Sequence, residues 1–275
     1  MTTITRTSLH EAAIAGEPLV DVEIIDAHAH LLDERTPGVS FQYTAPEQMI
    51  EAMDRIGIDR ACISVISSTK ANAEMLDAVS RFPDRLVGFV LVNPRYPDEM
   101  TSTLDWCFEN PAVKGIGEVH PTSYQHWYPV TGPAYEPAWE FAARRNVPVL
   151  IHSGPTSEAS RCSPTMIGEV ARRHPGFPIL IGHCGAYDSW SMLDEAIDVA
   201  LAEEQVYLEI SAMARFYGVL EYIVKRLGPD KVVFGSDAPF HDWTAEIAHV
   251  ACAKMSDRQK AKIFGGTMRA LLGEA

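Results

Sequence analysis

Short apolar segments alternate with amphipathic segments along most of this 275-residue chain. The apolar segments are rich in β-branched residues and are bounded by glycine or proline, a pattern that predicts strands. Between them, apolar residues recur at helical spacing, as Met49, Met53 and Ile56 do in residues 46–57. Eight strands are predicted in this way, at residues 22–32, 60–67, 86–93, 113–118, 147–152, 177–183, 206–211 and 231–237.

The number and order of these segments predict the fold class. Eight strands that alternate with helices over about 250 residues are typical of a (β/α)₈ TIM barrel. The competing fold, an open doubly wound sheet, usually carries a glycine-rich turn after its first strand, whereas this chain carries histidines there. We therefore expect a single α/β barrel domain over residues 22–275, preceded by an N-terminal lead-in over residues 1–21.

Polar side chains occur at the ends of five predicted strands. They are His28 and His30 on the first strand, followed by Glu118, His152, His183 and Asp237 on four later strands. The C-terminal ends of all barrel strands meet at one mouth, so these residues should converge there. A single buried histidine is more often a core residue with a hydrogen-bond partner. The joint pattern instead predicts a metal site, because a divalent cation would compensate several buried polar groups at once.

Strand periodicity predicts which of these groups point into the barrel. Alternate residues of a strand share one face. By this reasoning Asp26 shares a face with His28, and Ile181 shares a face with His183. We expect each polar group to end an apolar row that faces the barrel interior.

Composition narrows the classes of partner. The formal net charge is −14 and no run of lysine or arginine occurs, which argues against nucleic acids and anionic membranes. The first residues contain no apolar core for a signal peptide. The sequence also lacks an uninterrupted run of about 18 apolar residues, the length needed to span a membrane. Five widely spaced cysteines without a CxxC motif argue against a disulfide framework. We expect a cytoplasmic protein with a small-molecule substrate, and homo-oligomerisation is left open.

Four motifs resemble those of the metal-dependent amidohydrolase superfamily, most closely its amidohydrolase-related branch. They are IDAHAH, VLIHSG, IGHCG and FGSDAPF, and the resemblance extends over about residues 22–273. The ending AKIFGGTMRALLG is also similar, although Thr267 stands where the family commonly has asparagine. The resemblance implies the barrel fold and metal-dependent chemistry, and it is a poor guide to the substrate.

The resemblance also implies roles for the residues at the strand ends. Four of them would bind a catalytic metal: His28, His30, His152 and Asp237. His183 would bind a second metal or act as a catalytic acid or base. Glu118, in GIGEVHP, resembles a carboxylate that bridges two metals in deoxyribonuclease-like relatives. We therefore favour two ions over one. Zinc is the expected metal, and histidine and carboxylate ligands would also fit manganese or iron.

With two ions, Glu118 would lie between two sets of ligands. One set would be His28, His30 and Asp237, and the other His152 and His183. With one ion, His152 would join the first set, and His183 would remain free for proton transfer.

The leading functional prediction is hydrolysis of a small-molecule ester, lactone or amide. A zinc-type ion lowers the pKa of bound water to about 7. Asp237, a ligand and proton acceptor in the resembling enzymes, would then take the proton of that water. Glu118 and the short chain favour this function.

The main alternative is a lyase. Decarboxylases of the resembling family remove CO₂ from aromatic or unsaturated acids, and their sixth-strand histidine, here His183, protonates the product. Aromatic loops keep this alternative open. A nuclease is disfavoured by the acidic charge, and a barrel that only binds a ligand would require the metal ligands to be accidental.

The loops predicted at the mouth supply candidate substrate-binding residues. Trp127 belongs to an aromatic loop and would contact an apolar or ring-bearing part of the substrate. Arg161 and Arg215 would pair with a carboxylate or phosphate. Each arginine could instead form a salt bridge with a neighbouring acidic residue. Most of the aromatic residues in these loops could simply pack within the loops.

Overall fold

The computed structural model describes residues 7–32, 45–66, 68–121, 128–154, 159–187 and 189–274. Within these ranges the chain forms eight parallel strands, each paired with its neighbours in sequence order. The strands are β1 (Ile25–His30), β2 (Arg60–Ser64), β3 (Leu86–Val90), β4 (Val113–Val119), β5 (Val149–Ile151), β6 (Ile179–Ile181), β7 (Val206–Glu209) and β8 (Val232–Val233).

Backbone hydrogen bonds close this sheet between its first and last strands. The Ala27 N–H donates to the Phe234 carbonyl at 2.9 Å, and the His30 N–H donates to the Ala238 carbonyl at 2.7 Å. Ala29 and Ala238 form a parallel bridge beyond the end of β8. The predicted single-domain TIM barrel is therefore confirmed.

Helices lie between the strands, as the sequence pattern predicts. They are α1 (Ser8–Ala15), α2 (Pro46–Ile56), α3 (Asn72–Arg81), α4 (Pro97–Cys107), α5 (Glu136–Arg145), α6 (Ala159–Cys162), α7 (Pro164–Arg173), α8 (Leu193–Ala202), α9 (Val219–Leu227), α10 (Trp243–Cys252), α11 (Asp257–Ala261) and α12 (Thr267–Leu271). A π-helical turn, Lys262–Gly266, joins α11 to α12. The predicted helical tail is thus interrupted after α10, where Ser256 caps α11.

The sequence accounts for the ends of several helices. Helix α2 begins at Pro46, whose missing N–H is not needed in the first turn, and ends at Gly57 in the left-handed conformation with a φ of 92°. Its Met49 and Met53 side chains are completely buried. Asp242 caps α10 by accepting two backbone N–H groups of the first turn. These signals determine where α2 begins and ends and where α10 begins.

Apolar side chains fill the interior of the barrel below the mouth. This inner cluster contains Ile25, Ala27, Cys62, Val87, Phe89, Leu150, Leu180, Val233, Met268 and Leu272. Two of these, Met268 and Leu272, come from the end of the chain. Near them, Glu274 pairs with Arg60 at the start of β2. The C-terminal segment therefore closes the end of the barrel opposite the mouth.

The predicted face of Asp26 is wrong. Ile25 and Ala27 join the inner cluster, whereas the Asp26 carboxylate accepts hydrogen bonds from Ser236 Oγ and from Trp243 Nε1, at 2.5 and 2.6 Å. The pairing of β1 with β2 shifts register between Asp26 and Ala29. Because of this irregularity, His28 does not follow the face of Asp26.

The predicted face of His183 is also wrong. Leu180 points into the barrel, and Ile179 and Ile181 pack in the outer core. Strand β6 ends at Ile181, and His183 follows in a tight turn with a φ of 55°. His183 therefore reaches the mouth through a change of backbone direction rather than by strand alternation.

The N-terminal helix is attached to the C-terminal helices. The N–H and Oγ of Ser8 donate to Asp257 at 3.1 and 2.8 Å. Lys260 Nζ donates to Thr7 Oγ1 at 2.8 Å. All five cysteines, which lie within the described ranges, have free thiols, as predicted. None of the helices described is both long and apolar enough to cross a lipid bilayer.

Candidate metal centre

Among the described residues, six side chains from five strand ends meet at the barrel mouth. They are the six predicted ligands: His28, His30, Glu118, His152, His183 and Asp237. Each is at most 5 % exposed. Their donor atoms form two groups that share Glu118, and the number of ions they hold stays a prediction.

The first group contains His28, His30, Asp237 and one oxygen of Glu118. The Nε2 atoms of His28 and His30 lie 3.2 Å apart. Asp237 Oδ1 lies 3.0 Å from His30 Nε2 and 3.6 Å from His28 Nε2, and Glu118 Oε2 lies 3.7 Å from His30 Nε2. Ligands about 2.1 Å from a tetrahedral ion are about 3.4 Å apart. The spacing of this group fits one divalent cation.

The second group contains His152, His183 and the other oxygen of Glu118, Oε1, which also lies 3.5 Å from His28 Nε2 of the first group. Glu118 Oε1 lies 2.9 Å from His152 Nδ1 and 3.6 Å from His183 Nε2. His183 Nε2 lies 3.1 Å from His152 Nδ1. Three donors at these distances can hold a cation or can share protons among themselves.

Two of the six positions have a positive φ angle. His183 and Asp237 have φ angles of 55° and 58°, in the left-handed region that side chains other than glycine seldom adopt. Such conformations cluster at functional sites, where surrounding structure holds them. Here they turn an imidazole and a carboxylate toward the cluster.

Three of the imidazoles are held from behind through Nδ1. The contacts are His28 to Glu209 Oε2 at 3.0 Å, His30 to Ser64 Oγ at 3.1 Å and His183 to Ser211 Oγ at 2.8 Å. In each case Nε2 faces the cluster. A second hydrogen bond of this kind fixes the orientation of a metal-binding imidazole.

Interactions within the cluster shift the pKa values of three of its side chains. Burial alone would lower the pKa of His28, but two neighbouring carboxylates, Glu118 first, raise it well above its ordinary value. Burial alone would raise the pKa of Glu118, but the charge of His28 contributes most to holding it well below its ordinary value. The pKa of Asp237 is also lowered against burial, chiefly by a hydrogen bond with His30. The two carboxylates are therefore ionised.

Five of the six side chains, all except His28, form the floor of a cavity of about 170 Å³. Its walls are Ile66, His120, Tyr187 and Phe240. The His120 ring stacks on His152 with centroids 3.8 Å apart. Three aromatic rings and the Ile66 side chain therefore enclose the space above the cluster.

The three predicted substrate-binding residues have different outcomes. Trp127 lies outside the described residues. Arg215 places its guanidinium 5.7 Å from the ring centre of Tyr187, a cavity wall. Arg161 lies in α6 and does not belong to the described lining of the cavity. Contact of these residues with substrate stays a prediction.

A family model described as amidohydrolase matches residues 25–273 of the chain. The chain belongs to the amidohydrolase family. No curated protein matches it in sequence. The family resemblance predicted from the four motifs is therefore confirmed.

Solved structures with the same fold include three decarboxylases. The 5-carboxyvanillate decarboxylase of Sphingomonas paucimobilis has a TM-score of 0.70 at 15 % identity, and the match covers 92 % of this chain and 100 % of that chain. The 2,6-dihydroxybenzoate decarboxylase of Rhizobium has a TM-score of 0.71 at 16 % identity, covering 92 % and 99 %. A dihydroxybenzoic acid decarboxylase of Polaromonas sp. JS666, with bound manganese and the inhibitor 2-nitroresorcinol, has a TM-score of 0.68 at 16 % identity, covering 92 % and 97 %.

These matches correct the leading functional prediction. The leading prediction is hydrolysis of an ester, lactone or amide. The matched structures, in contrast, are decarboxylases, named for the removal of CO₂ from aromatic acids. The prediction was wrong because it relied on Glu118 and on chain length. The first concerns the metal site and the second the size of the barrel, and neither identifies the bond that breaks.

Sequence reasoning missed two polar residues of the amidohydrolase site. Glu209 ends β7, Ser211 follows it, and both are completely buried. Glu209 occupies an apolar stretch, VYLEIS, that was predicted as a buried strand. A carboxylate in such a strand needs hydrogen-bond partners, so this position carried a signal that could have identified it.

Proposed function

We propose that the protein is a metal-dependent decarboxylase that converts an aromatic or unsaturated carboxylic acid to CO₂ and the product that carries a hydrogen in place of the carboxylate. The observation that carries the proposal is the position of His183. His183 lines the cavity, its Nδ1 contacts Ser211 Oγ at 2.8 Å, and its Nε2 lies on the side of the ligand cluster. An imidazole held in this way can present a proton to a substrate in the cavity. The fold shared with three decarboxylases supports the same chemistry.

The first donor group would hold the divalent cation. Its ligands would be His28, His30, Asp237 and the Glu118 carboxylate, whose donor spacing fits one ion. A bound cation would supply positive charge that holds and polarises an anionic substrate. Manganese is the first ion to test because the Polaromonas enzyme contains it, and zinc, the ion expected from the sequence, is the second.

Decarboxylation favours one cation rather than two. His183 must be free to transfer a proton, and a second ion held by His152 and His183 would occupy its Nε2. We therefore propose that Glu118 contributes to the first site and, through Oε1, orients His152 at 2.9 Å. The second donor group would then act as a set of hydrogen-bonding side chains.

The proposed reaction needs one proton and releases one CO₂. Protonated His183 donates the proton on Nε2 to the carbon that bears the carboxylate. The π electrons of the substrate's ring or double bond form the new C–H bond. The bond from this carbon to the carboxylate then breaks, CO₂ leaves, and the electron pair of the broken bond restores the π system. His183 then regains a proton from solvent. Ser211 contacts Nδ1 throughout and keeps the ring in place.

The test combines CO₂ release with isotope placement. The purified protein, loaded with Mn²⁺ or Zn²⁺, is incubated with hydroxybenzoates and with unsaturated acids in D₂O. We expect CO₂ and a product that carries one deuteron at the carbon that lost the carboxylate. His183→Asn should reduce the rate at least about 100-fold, within the range for loss of a general acid. His10→Asn, which changes a histidine of α1, is the matched control.

Two results would contradict the proposal. One is the absence of CO₂ release from every acid by protein shown to contain the metal. The other is decarboxylation at an unchanged rate by His183→Asn, which would remove His183 from the proton transfer.

A further inference from the structure

Glu209 and Ser211 form a buried polar pair between two histidines of the cluster. Glu209 Oε2 lies 3.0 Å from His28 Nδ1 and accepts the Ser211 hydroxyl at 2.8 Å. Ser211 Oγ in turn lies 2.8 Å from His183 Nδ1 and 3.3 Å from His28 Nδ1. The pair therefore contacts one proposed metal ligand and the proposed proton donor at once.

We infer that Glu209 and Ser211 are positioning residues that keep the Nδ1 atoms of His28 and His183 protonated and their Nε2 atoms directed toward the ligand cluster. An ionised carboxylate only accepts hydrogen bonds. His28 must therefore donate from Nδ1 to Glu209. The Ser211 hydroxyl donates to Glu209, so it accepts the Nδ1–H of His183.

A contrast with His30 isolates the contribution of the carboxylate. His30 Nδ1 contacts Ser64 Oγ at 3.1 Å, and a hydroxyl can either donate or accept. Ser64 therefore fixes where the His30 ring lies without determining which nitrogen carries the proton. Glu209 determines it directly for His28 and through Ser211 for His183.

Hydrogen-bond donors surround the Glu209 carboxylate. The Ser211 N–H donates to Oε1 at 2.5 Å, and the His183 N–H donates to Oε2 at 3.1 Å. With the His28 and Ser211 side chains, the carboxylate thus receives four donors. A glutamine amide would turn an N–H toward at least one of them.

The Glu209 carboxylate fits beside β8 because residue 235 is a glycine and has no side chain. Gly235 lies beside Glu209, and a Cβ at residue 235 would overlap Glu209 Oε1 and lie 2.9 Å from the Cβ of His28. An alanine there would displace the carboxylate, the His28 ring or both. Gly235 therefore offers a second way to disturb the same contacts without changing a polar group.

The inference rests on the proposed function for the identity of the cation, and its test separates the two. Glu209→Gln is compared with Glu246→Gln, a buried control whose Oε1 accepts the Ala212 N–H at 3.1 Å. We measure the dissociation constants for Mn²⁺ and Zn²⁺ by chelator competition. Glu209→Gln should weaken both about 10- to 100-fold, as is typical when a partner of a ligating histidine is lost. Glu246→Gln should leave them within about twofold.

The second readout does not need a metal. Metal-free protein with ¹⁵N-labelled histidine is examined by NMR at a pH where its imidazoles are neutral, and signals are assigned with His28→Gln and His183→Gln. The wild type and Glu246→Gln should show Nδ1–H forms for both rings. Glu209→Gln should shift His28 toward the Nε2–H form. Ser211→Ala should change the tautomer of His183, whereas His28 should keep its Nδ1–H form because Glu209 still accepts from it.

The outcomes are distinct. Unchanged tautomers in Glu209→Gln, with or without a lower melting temperature, overturn the positioning role. A wild type that binds neither metal contradicts the proposed cation, whereas the tautomer shift still decides the inference. If Glu209→Gln does not fold, Gly235→Ala and Ser211→Ala decide it, since normal tautomers and metal affinity in both would contradict it.

Discussion

Glu118 Oε1 lies 2.9 Å from Nδ1 of His152, so the carboxylate that faces the first donor group also holds a histidine of the second. This contact predicts that Glu118→Gln weakens cation binding by at least about tenfold, because the amide carries no charge and directs an N–H toward one of the groups. Elemental analysis after dialysis and chelator competition measure the effect. Glu140→Gln, an exposed change on α5, is the control.

The same experiment counts the ions. One ion per chain in the wild type supports the single-cation proposal, and a variant that retains the ion with unchanged affinity would show that Glu118 is not a ligand. Two ions in the wild type, reduced to one in Glu118→Gln, would restore the bridging role expected from the sequence.

Removal of the cation should abolish turnover and destabilise the fold. A ligand that binds only the folded state adds about 2.7 kcal/mol at 100 times its dissociation constant. We expect the melting temperature to fall on dialysis against a chelator and to recover with Mn²⁺. Thermal unfolding with and without added metal measures this. An equal melting temperature in both conditions would argue against a cation bound in the cluster.

Glu246 predicts a pH dependence of stability. Burial, and then the charge of Glu209, raise its pKa to about 8. Between its ordinary pKa of 4.5 and this value, the folded protein holds a proton that the unfolded chain releases, so the free energy of unfolding falls as pH rises. Glu246→Gln cannot titrate. Its stability relative to the wild type should increase by about 1 kcal/mol per pH unit from about pH 5 to pH 8.

Urea unfolding at several pH values measures this difference. The expected result is a pair of curves that diverge above about pH 5. Curves that remain parallel would show that Glu246 does not retain its proton in the folded state.

Asn72 predicts the cost of disrupting the end of β3. Its Nδ2 donates to the Leu91 carbonyl at 2.9 Å, its Oδ1 accepts the Leu91 N–H at 3.1 Å, and it is completely buried. Asn72→Ala leaves both backbone groups without this partner and should cost about 2–4 kcal/mol in the free energy of unfolding. The control is Asn93→Ala, whose half-buried side chain accepts a local hydrogen bond. Equal losses in the two variants would refute the assigned role.

The fold could be predicted from the sequence because its signals are local and repeated. Each strand is short, apolar and bounded by breakers, and the strand ends carry the polar residues that meet at the mouth. The convergence of His28 and Asp237 follows from barrel topology alone. Their Nε2 and Oδ1 atoms lie 3.6 Å apart.

The side-chain directions could not be predicted with the same success. Alternation assumes a regular strand, whereas β1 shifts register at Asp26 and His183 lies in a left-handed turn. Both deviations depend on packing between strands distant in sequence. Glu209 was missed because its partners, His28 and the backbone of His183, become neighbours only when the barrel forms.

The hydrogen bonds that close the barrel also determine when the cluster can exist. The Asp237 N–H donates to the His28 carbonyl, and the His30 N–H donates to the Ala238 carbonyl, both at 2.7 Å. During synthesis, His28, His30 and Glu118 leave the ribosome before Asp237, so the nascent chain carries three of the four proposed ligands before the fourth is made. The cluster is therefore a property of the finished chain, and any truncation before β8 removes it together with the closure of the barrel.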